Sequence, residues 1–293
     1  MSGIVPSPAH PASKRVKAFR DELVKGIPVF PNDKATRNML AAKSLGSLLI
    51  DYANWRIRYI TPRPRKVIVE QSASSDPRWQ TFTADITALL DKVARGEDLT
   101  PYLSCKIHNR GFTPATAASG PKVDRWADKD MLLIVMGYHH LHFDAAPSTT
   151  WRSDDVLFAE VTRESFTAVA IFNHDVFEPT ALGTAMTAER ERLWSTFNDR
   201  VTRGMPPGTV FMTPPIALSG HSVQFNFWAQ TCARIIQTFD PKLDEADYVA
   251  NLYQRAGVQK PPKTKFKWQL HNLDFGLLEE REPRFFLQVR GSN

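Results

Sequence analysis

Only two cysteines, Cys105 and Cys232, occur in the 293 residues of the sequence. They stand too far apart for a zinc-knuckle spacing and are too few for an extracellular disulfide framework, so both are read as buried thiols in a cytoplasmic protein. Long apolar runs are missing as well. The longest, Met131 to Gly137, falls far short of the roughly 20 residues that span a membrane. Pro6, Pro8, His10 and Pro11 occupy the place of a signal peptide's apolar core, so neither secretion nor membrane insertion is expected. Also absent are the Gly-x-x-x-x-Gly-Lys and Gly-x-Gly-x-x-Gly loops of nucleotide sites, the Gly-x-Ser-x-Gly of esterases and the His-Glu-x-x-His of zinc hydrolases. With 42% hydrophobic and 23% charged residues, the chain has an ordinary globular composition, enough for one large domain or two small ones.

What the sequence does have is an uneven charge. Residues 1–66 carry 13 Lys and Arg against 4 Asp and Glu, a net of +9, while the rest carries 24 against 27. A basic first quarter suits a polyanionic partner, because clustered cations release the counterions condensed on a phosphate backbone. It equally suits a solvated surface or a docking face for an acidic protein. The cations gather at Arg56 and Arg58, interleaved with Trp55 and Tyr59, and continue at Arg63, Arg65 and Lys66. Those five are the candidate nucleic-acid contacts.

The patterning predicts an α+β fold. Residues 1–12 read as a disordered lead, 13–125 as a basic, mainly helical region, and 126–293 as an α+β catalytic domain with a central mixed core, a β-hairpin, and C-terminal helices followed by an antiparallel meander. Ser13 caps a helix to Lys25, and Asp33 starts a longer one in which Leu45, Leu48, Leu49 and Tyr52 recur at helical spacing while Lys43 and Arg58 face water. A strand over 66–70, a helix from Asp85 to Arg95 and a surface loop over 109–125 follow. Met131–Met136 is a short helix ended by a left-handed cap at Gly137, and Tyr138–Phe143 is a strand. Val156–Thr162 and Phe166–Phe172 make a hairpin. Helices are then expected from Ala188, Ser222 and Asp244, with a short strand at Thr209–Met212 and meander strands at 264–271, 275–278 and 285–289.

The candidate chemistry lies in Gly137-Tyr138-His139-His140-Leu141-His142-Phe143, which holds three of the eight histidines. On a strand, His140 and His142 share one face with Tyr138, and His139 points the other way with Leu141 and Phe143. Pairing Thr162 with Phe166 in the hairpin places His174 opposite Asp154 and one diagonal step, about 7 Å, from Arg152. His140, His142, Arg152 and His174, with Tyr138 nearby, thus form the candidate catalytic group. Two imidazoles and a guanidinium suit metal-free cleavage of a phosphodiester: one imidazole takes the ribose 2′-proton, another protonates the 5′-oxygen, and the guanidinium meets the charge on phosphorus. Alternatively His140, His142 and His174 bind a metal with Asp144 or Asp175 as general base, or the rings are structural. Two weaker features are a phosphate seat at Ser219 and Ser222, which also reads as a helix cap, and a lysine row at 263, 265 and 267, which reads as edge-strand protection.

The run Lys129-Asp130-Met131-Leu132-Leu133 through Phe143, with Val156-Leu157-Phe158-Ala159 and His174, resembles a pattern in uncharacterised bacterial toxin-like proteins with a Gly-x-His-His-Leu-His-Phe motif. The helix, the His-bearing strand and the hairpin are also similar to ribonuclease toxins of the RelE and colicin types. That similarity covers about 50 residues and implies metal-independent RNA cleavage, with no cofactor, by a toxin restrained by an antitoxin. The expectation is therefore a ribonuclease effector of a toxin–antitoxin or anti-phage system, with His140 and His142 as base and acid in either order. A non-enzymatic subunit binding nucleic acid or a complex, and a His-ligated metal hydrolase, are the alternatives.

Overall fold

The computed structural model describes residues 12–115, 128–145, 153–178, 184–282 and 284–291. The expected lead lies almost wholly outside them, as do Trp151 and Arg152. The fold is α+β, as its patterning predicts, with ten α-helices and two sheets among the described residues.

α1 (Lys14–Gly26) starts where the Ser13 hydroxyl accepts the Val16 N–H, and it buries Val16, Phe19 and Leu23. The long helix expected from Asp33 is two: α2 (Lys34–Ala41), capped by Asp33, and α3 (Leu45–Arg56), capped by Ser44. The Ser44 side chain accepts the Ser47 N–H, and this local bond restarts the helix in a new direction. β1 (Lys66–Val69), α4 (Gln71–Ser74), α5 (Pro77–Thr81) and α6 (Thr83–Arg95) come next. α7 (Met131–Met136) runs from Asp130, whose side chain accepts the Leu133 N–H, to Gly137 at φ 74°. That left-handed turn, which a glycine adopts without a Cβ penalty, reverses the chain into β2 (Tyr138–His142). β3 (Asp155–Val161) and β4 (Ser165–Asn173) complete a four-stranded mixed sheet of order β1-β4-β3-β2. α8 (Ala188–Thr202), α9 (Val223–Phe239) and α10 (Ala246–Ala256) precede a meander of β5 (Phe266–His271), β6 (Asp274–Glu279) and β7 (Phe285–Arg290).

Three apolar clusters hold these elements. One face of the four-stranded sheet, with Leu141, Leu157 and Phe166, packs on Ile86, Leu89 and Val93 of α6. The other, with Tyr138, Phe158 and Phe172, packs on Leu193 and Phe197 of α8. β4 is therefore sealed on both sides: its apolar residues Phe166, Ala168, Val169, Ala170, Ile171 and Phe172 are all fully buried. Burying a phenylalanine or isoleucine contributes roughly 1.5–3 kcal/mol, which makes this strand the firmest part of the sheet. The third cluster joins Phe19 and Leu48 of the first helices to Cys232 of α9 and Trp268 and Phe275 of the meander.

That third cluster spans both expected regions: chain start and chain end share one core, and β1 of the 13–125 region pairs in parallel with β4 of the 126–293 region. Thr209–Met212 is not a strand; Val210 and Met212 are more than 80% exposed and no neighbouring strand pairs with them. Phe112 and Thr113, read as surface loop, are buried. Cys105 is exposed and only Cys232 is buried. Of the lysine row only Lys267 lies on the edge strand β5, Lys263 and Lys265 preceding it, and Lys265 and Lys267 both pair with Glu280. Among the described residues no helix is long and apolar enough to cross a membrane.

Candidate active site at the end of the His-bearing strand

β2 is an edge strand bonded only to β3, so its alternate side chains enter two different environments. His139 turns toward the end of α3, where its Nε2 lies 3.0 Å from the Ile57 carbonyl. It is buried, and burial pushes its pKa down to about 4, so the ring is a neutral donor tying β2 to α3. His140 and His142 share the opposite face, as the alternation requires. The His140 ring lies 4.9 Å from Phe177 and 6.1 Å from Phe158, with Nδ1 3.5 Å from an Asp130 carboxylate oxygen. Burial lowers its pKa, against the pull of Asp130 and assisted by His174.

The hairpin brings His174 to this face. Asp155 pairs with Asn173, and the chain then enters a tight turn over His174–Phe177, whose first N–H groups are met by the Asn173 side chain. His174 Nδ1 lies 2.6 Å from the Asp154 carbonyl oxygen and 3.1 Å from its carboxylate. With Nδ1 held there, Nε2 is the nitrogen available to a ligand. The His174 side chain is 43% exposed and its ring stacks on buried His142, with centroids 5.5 Å apart and planes at 29°. His142 in turn is 6.4 Å from His140. The three imidazoles thus form a row that opens to solvent at His174 and closes against Phe177 at His140.

Around the row, a charged network fixes the open end of the hairpin. Arg78 bonds Asp76 and reaches Asp155 and Glu189, and Glu189 accepts the Asn173 N–H. Asp154, Asp130 and Phe177 are site residues that sequence reasoning did not assign. For Asp154 the signal was present in the hairpin register; for Asp130 it was hidden by its reading as a helix start.

Tyr138 is on the shared face but outside the site. Its hydroxyl accepts a bond from Arg200, which also pairs with Glu160 and Glu70, and its ring meets Phe197. Four residues of strand, about 13 Å, separate it from His142. Arg152 lies outside the described residues.

The five basic residues do not form one patch at this site, although Arg58 is near enough to oppose protonation of His140. Arg58, expected to face water, is buried and donates to the Asp128 and Lys106 carbonyls. Arg65 is buried and donates to the Thr162, Thr61 and Arg63 carbonyls. Arg56 bonds Asn272 and lies over the Tyr59 ring. Lys66 is exposed, yet it pairs with Ser165 at the start of β4, nine residues or about 30 Å of strand from His174. Ser222 is the cap of α9, accepting the Gln224 N–H, so its oxygen is committed to the helix; Ser219 is exposed.

Chemically, the row offers two adjacent imidazoles, one braced by a carboxylate, beside the Phe177 ring. No group of three or more His, Cys, Asp or Glu among the described residues is placed to hold a metal ion. Compared with known proteins, the chain matches no family model, no curated protein and no solved structure.

Proposed function

We propose that this protein is a metal-independent endoribonuclease, of the class that serves as a toxin or effector in toxin–antitoxin or anti-phage systems. The observation that carries the reading is the stacked His142–His174 pair at the open end of the hairpin, with Asp154 on His174 Nδ1. Cleavage of RNA by its own 2′-hydroxyl needs one neutral and one protonated imidazole near the same phosphate, and an imidazole pKa of about 6.5 supplies both forms at neutral pH. His174 suits the base: its side chain is 43% exposed, and Asp154 stabilises the imidazolium produced when the 2′-proton is taken. His142 then protonates the departing 5′-oxygen, leaving a 2′,3′-cyclic phosphate. His140 lies behind as the wall that keeps His142 in place. Exposed Lys66 and half-buried Arg63 are too distant for the scissile phosphate and would engage a flanking part of a longer strand.

The test is cleavage of an oligoribonucleotide in excess EDTA, beside the same strand with a 2′-deoxy residue at the cut site. The expected result is a 2′,3′-cyclic phosphate end from the first and none from the second. His142→Ala and His174→Ala should each slow the reaction by about 10²–10⁴-fold with RNA binding retained. Undiminished cleavage by both variants, or cutting at the 2′-deoxy residue, would sink the assignment.

A further inference from the structure

A second group of ionisable side chains lines a cavity of about 220 Å³ apart from the imidazole row. It is built from Lys43 in the α2–α3 turn, Asp51 of α3, Thr113, Lys129 ahead of α7, and His221 ahead of α9. Burying this much charge is costly unless every group is matched. The acids are matched. Asp51 accepts Lys43 Nζ through one oxygen and lies 3.4 Å from His221 Nε2 through the other. Asp128, just behind the cavity wall, accepts Lys129 Nζ at 3.0 Å and the Thr113 N–H at 2.8 Å.

The other polar groups are not used up. Lys43 has three N–H groups and one carboxylate partner, its other contact being the Phe112 ring. Thr113 Oγ1, on a residue only 5% exposed, has no hydrogen-bond partner among the described residues, and nor has His221 Nδ1. Ion pairs that merely tied α3 to α7 and α9 would account for the carboxylates, but not for a buried hydroxyl and a buried imidazole nitrogen without partners beside the cavity. What is missing is an acceptor with several oxygens, approached from three separate stretches of chain.

We infer that this cavity binds a small phosphate-class oxyanion, inorganic phosphate or a compact phosphate monoester, through Lys43, Thr113 and His221. Lys43 and Lys129 are balanced by Asp51 in the lining and Asp128 behind it, and a protonated His221 supplies the one net positive charge. Burial, Lys129 and Lys43 hold the His221 pKa down to about 4. A dianion between these groups removes that repulsion and takes up the proton at Nδ1, which then donates to it.

The experiment is calorimetric titration of the full chain with inorganic phosphate at constant ionic strength, with sodium acetate as the comparison. It is run in a His174→Ala background so that phosphate at the imidazole row does not contribute. Saturable phosphate binding is expected, with acetate much weaker. Thr113→Val should weaken it about five-fold and His221→Gln at least ten-fold. Thr113→Val should keep the parent's thermal midpoint, because the hydroxyl has no partner to lose. Absence of saturable binding, equal affinity for acetate, or unchanged affinity in both folded variants overturns the inference.

Discussion

His139 ties the stability of the site-bearing strand to pH in a way that can be worked through. Its ring is neutral in the folded protein, donating to the Ile57 carbonyl, with a pKa lowered to about 4 from an ordinary 6.5. As pH falls through 6.5 the unfolded chain binds this proton first. The group's contribution is therefore complete above about pH 6.5 and is lost progressively between 6.5 and 4. One pKa unit corresponds to about 1.4 kcal/mol, so the shift amounts to about 3 kcal/mol in the acid limit and about 2 kcal/mol by pH 5. His139→Gln keeps a donor for Ile57 and removes the titration. Urea unfolding of both proteins at pH 7 and pH 5 isolates the effect, since every other titrating group is common to the pair. The stability of the parent relative to the variant should fall by about 2 kcal/mol between the two pH values. Parallel stability curves would refute a buried neutral His139. Because β2 also carries His140 and His142, the proposed ribonuclease activity should disappear over the same acid range before the whole chain unfolds.

Three further outcomes follow from the geometry. Asp154→Asn removes the carboxylate that supports His174 and should lower kcat about 10–100-fold with KM little changed; a loss confined to KM would contradict a positioning role. Gly137→Ala has open space for its Cβ but must hold φ near 74°, so thermal unfolding should show a loss of about 1–2 kcal/mol from conformation alone, and no loss would mean that the α7–β2 turn is not left-handed. Ser44→Ala deletes the cap that separates α2 from α3 and should cost about 1 kcal/mol, measured by chemical denaturation.

Much of the fold was legible because local signals and burial agree. Asp130 and Gly137 bracket α7, and the strict alternation from Tyr138 to Phe143 sorts the histidines onto two faces, both as the sequence reading has it. The meeting of His174 with Asp154 was legible for a subtler reason. The hairpin turn is one residue out from the expected pairing, Val161 rather than Thr162 standing opposite Phe166. An extra residue in β4, Val169, then restores the expected register beyond Phe158. Two departures cancel at the end that matters. What could not be read was the fate of the cations. A count of arginines is blind to whether a guanidinium meets solvent or a main-chain carbonyl, and Arg58 and Arg65 do the latter. The single helix expected from Asp33 failed on Ser44, a serine whose capping role looks the same in sequence as any polar position. The charged cavity was invisible because Lys43, Asp51, Thr113 and His221 come together only through tertiary packing.

The double cover over β4 also limits where this protein can change its chemistry. A strand enclosed above and below accepts nothing reactive along its length without opening the interior to water. A new acid, base or ligand group can be introduced only where the enclosure stops, at Asn173 and His174, or on the edge strand β2 across β3 from it. The reactive end of the sheet is thus a fixed address: its occupants can be exchanged, but the address cannot move down the strand.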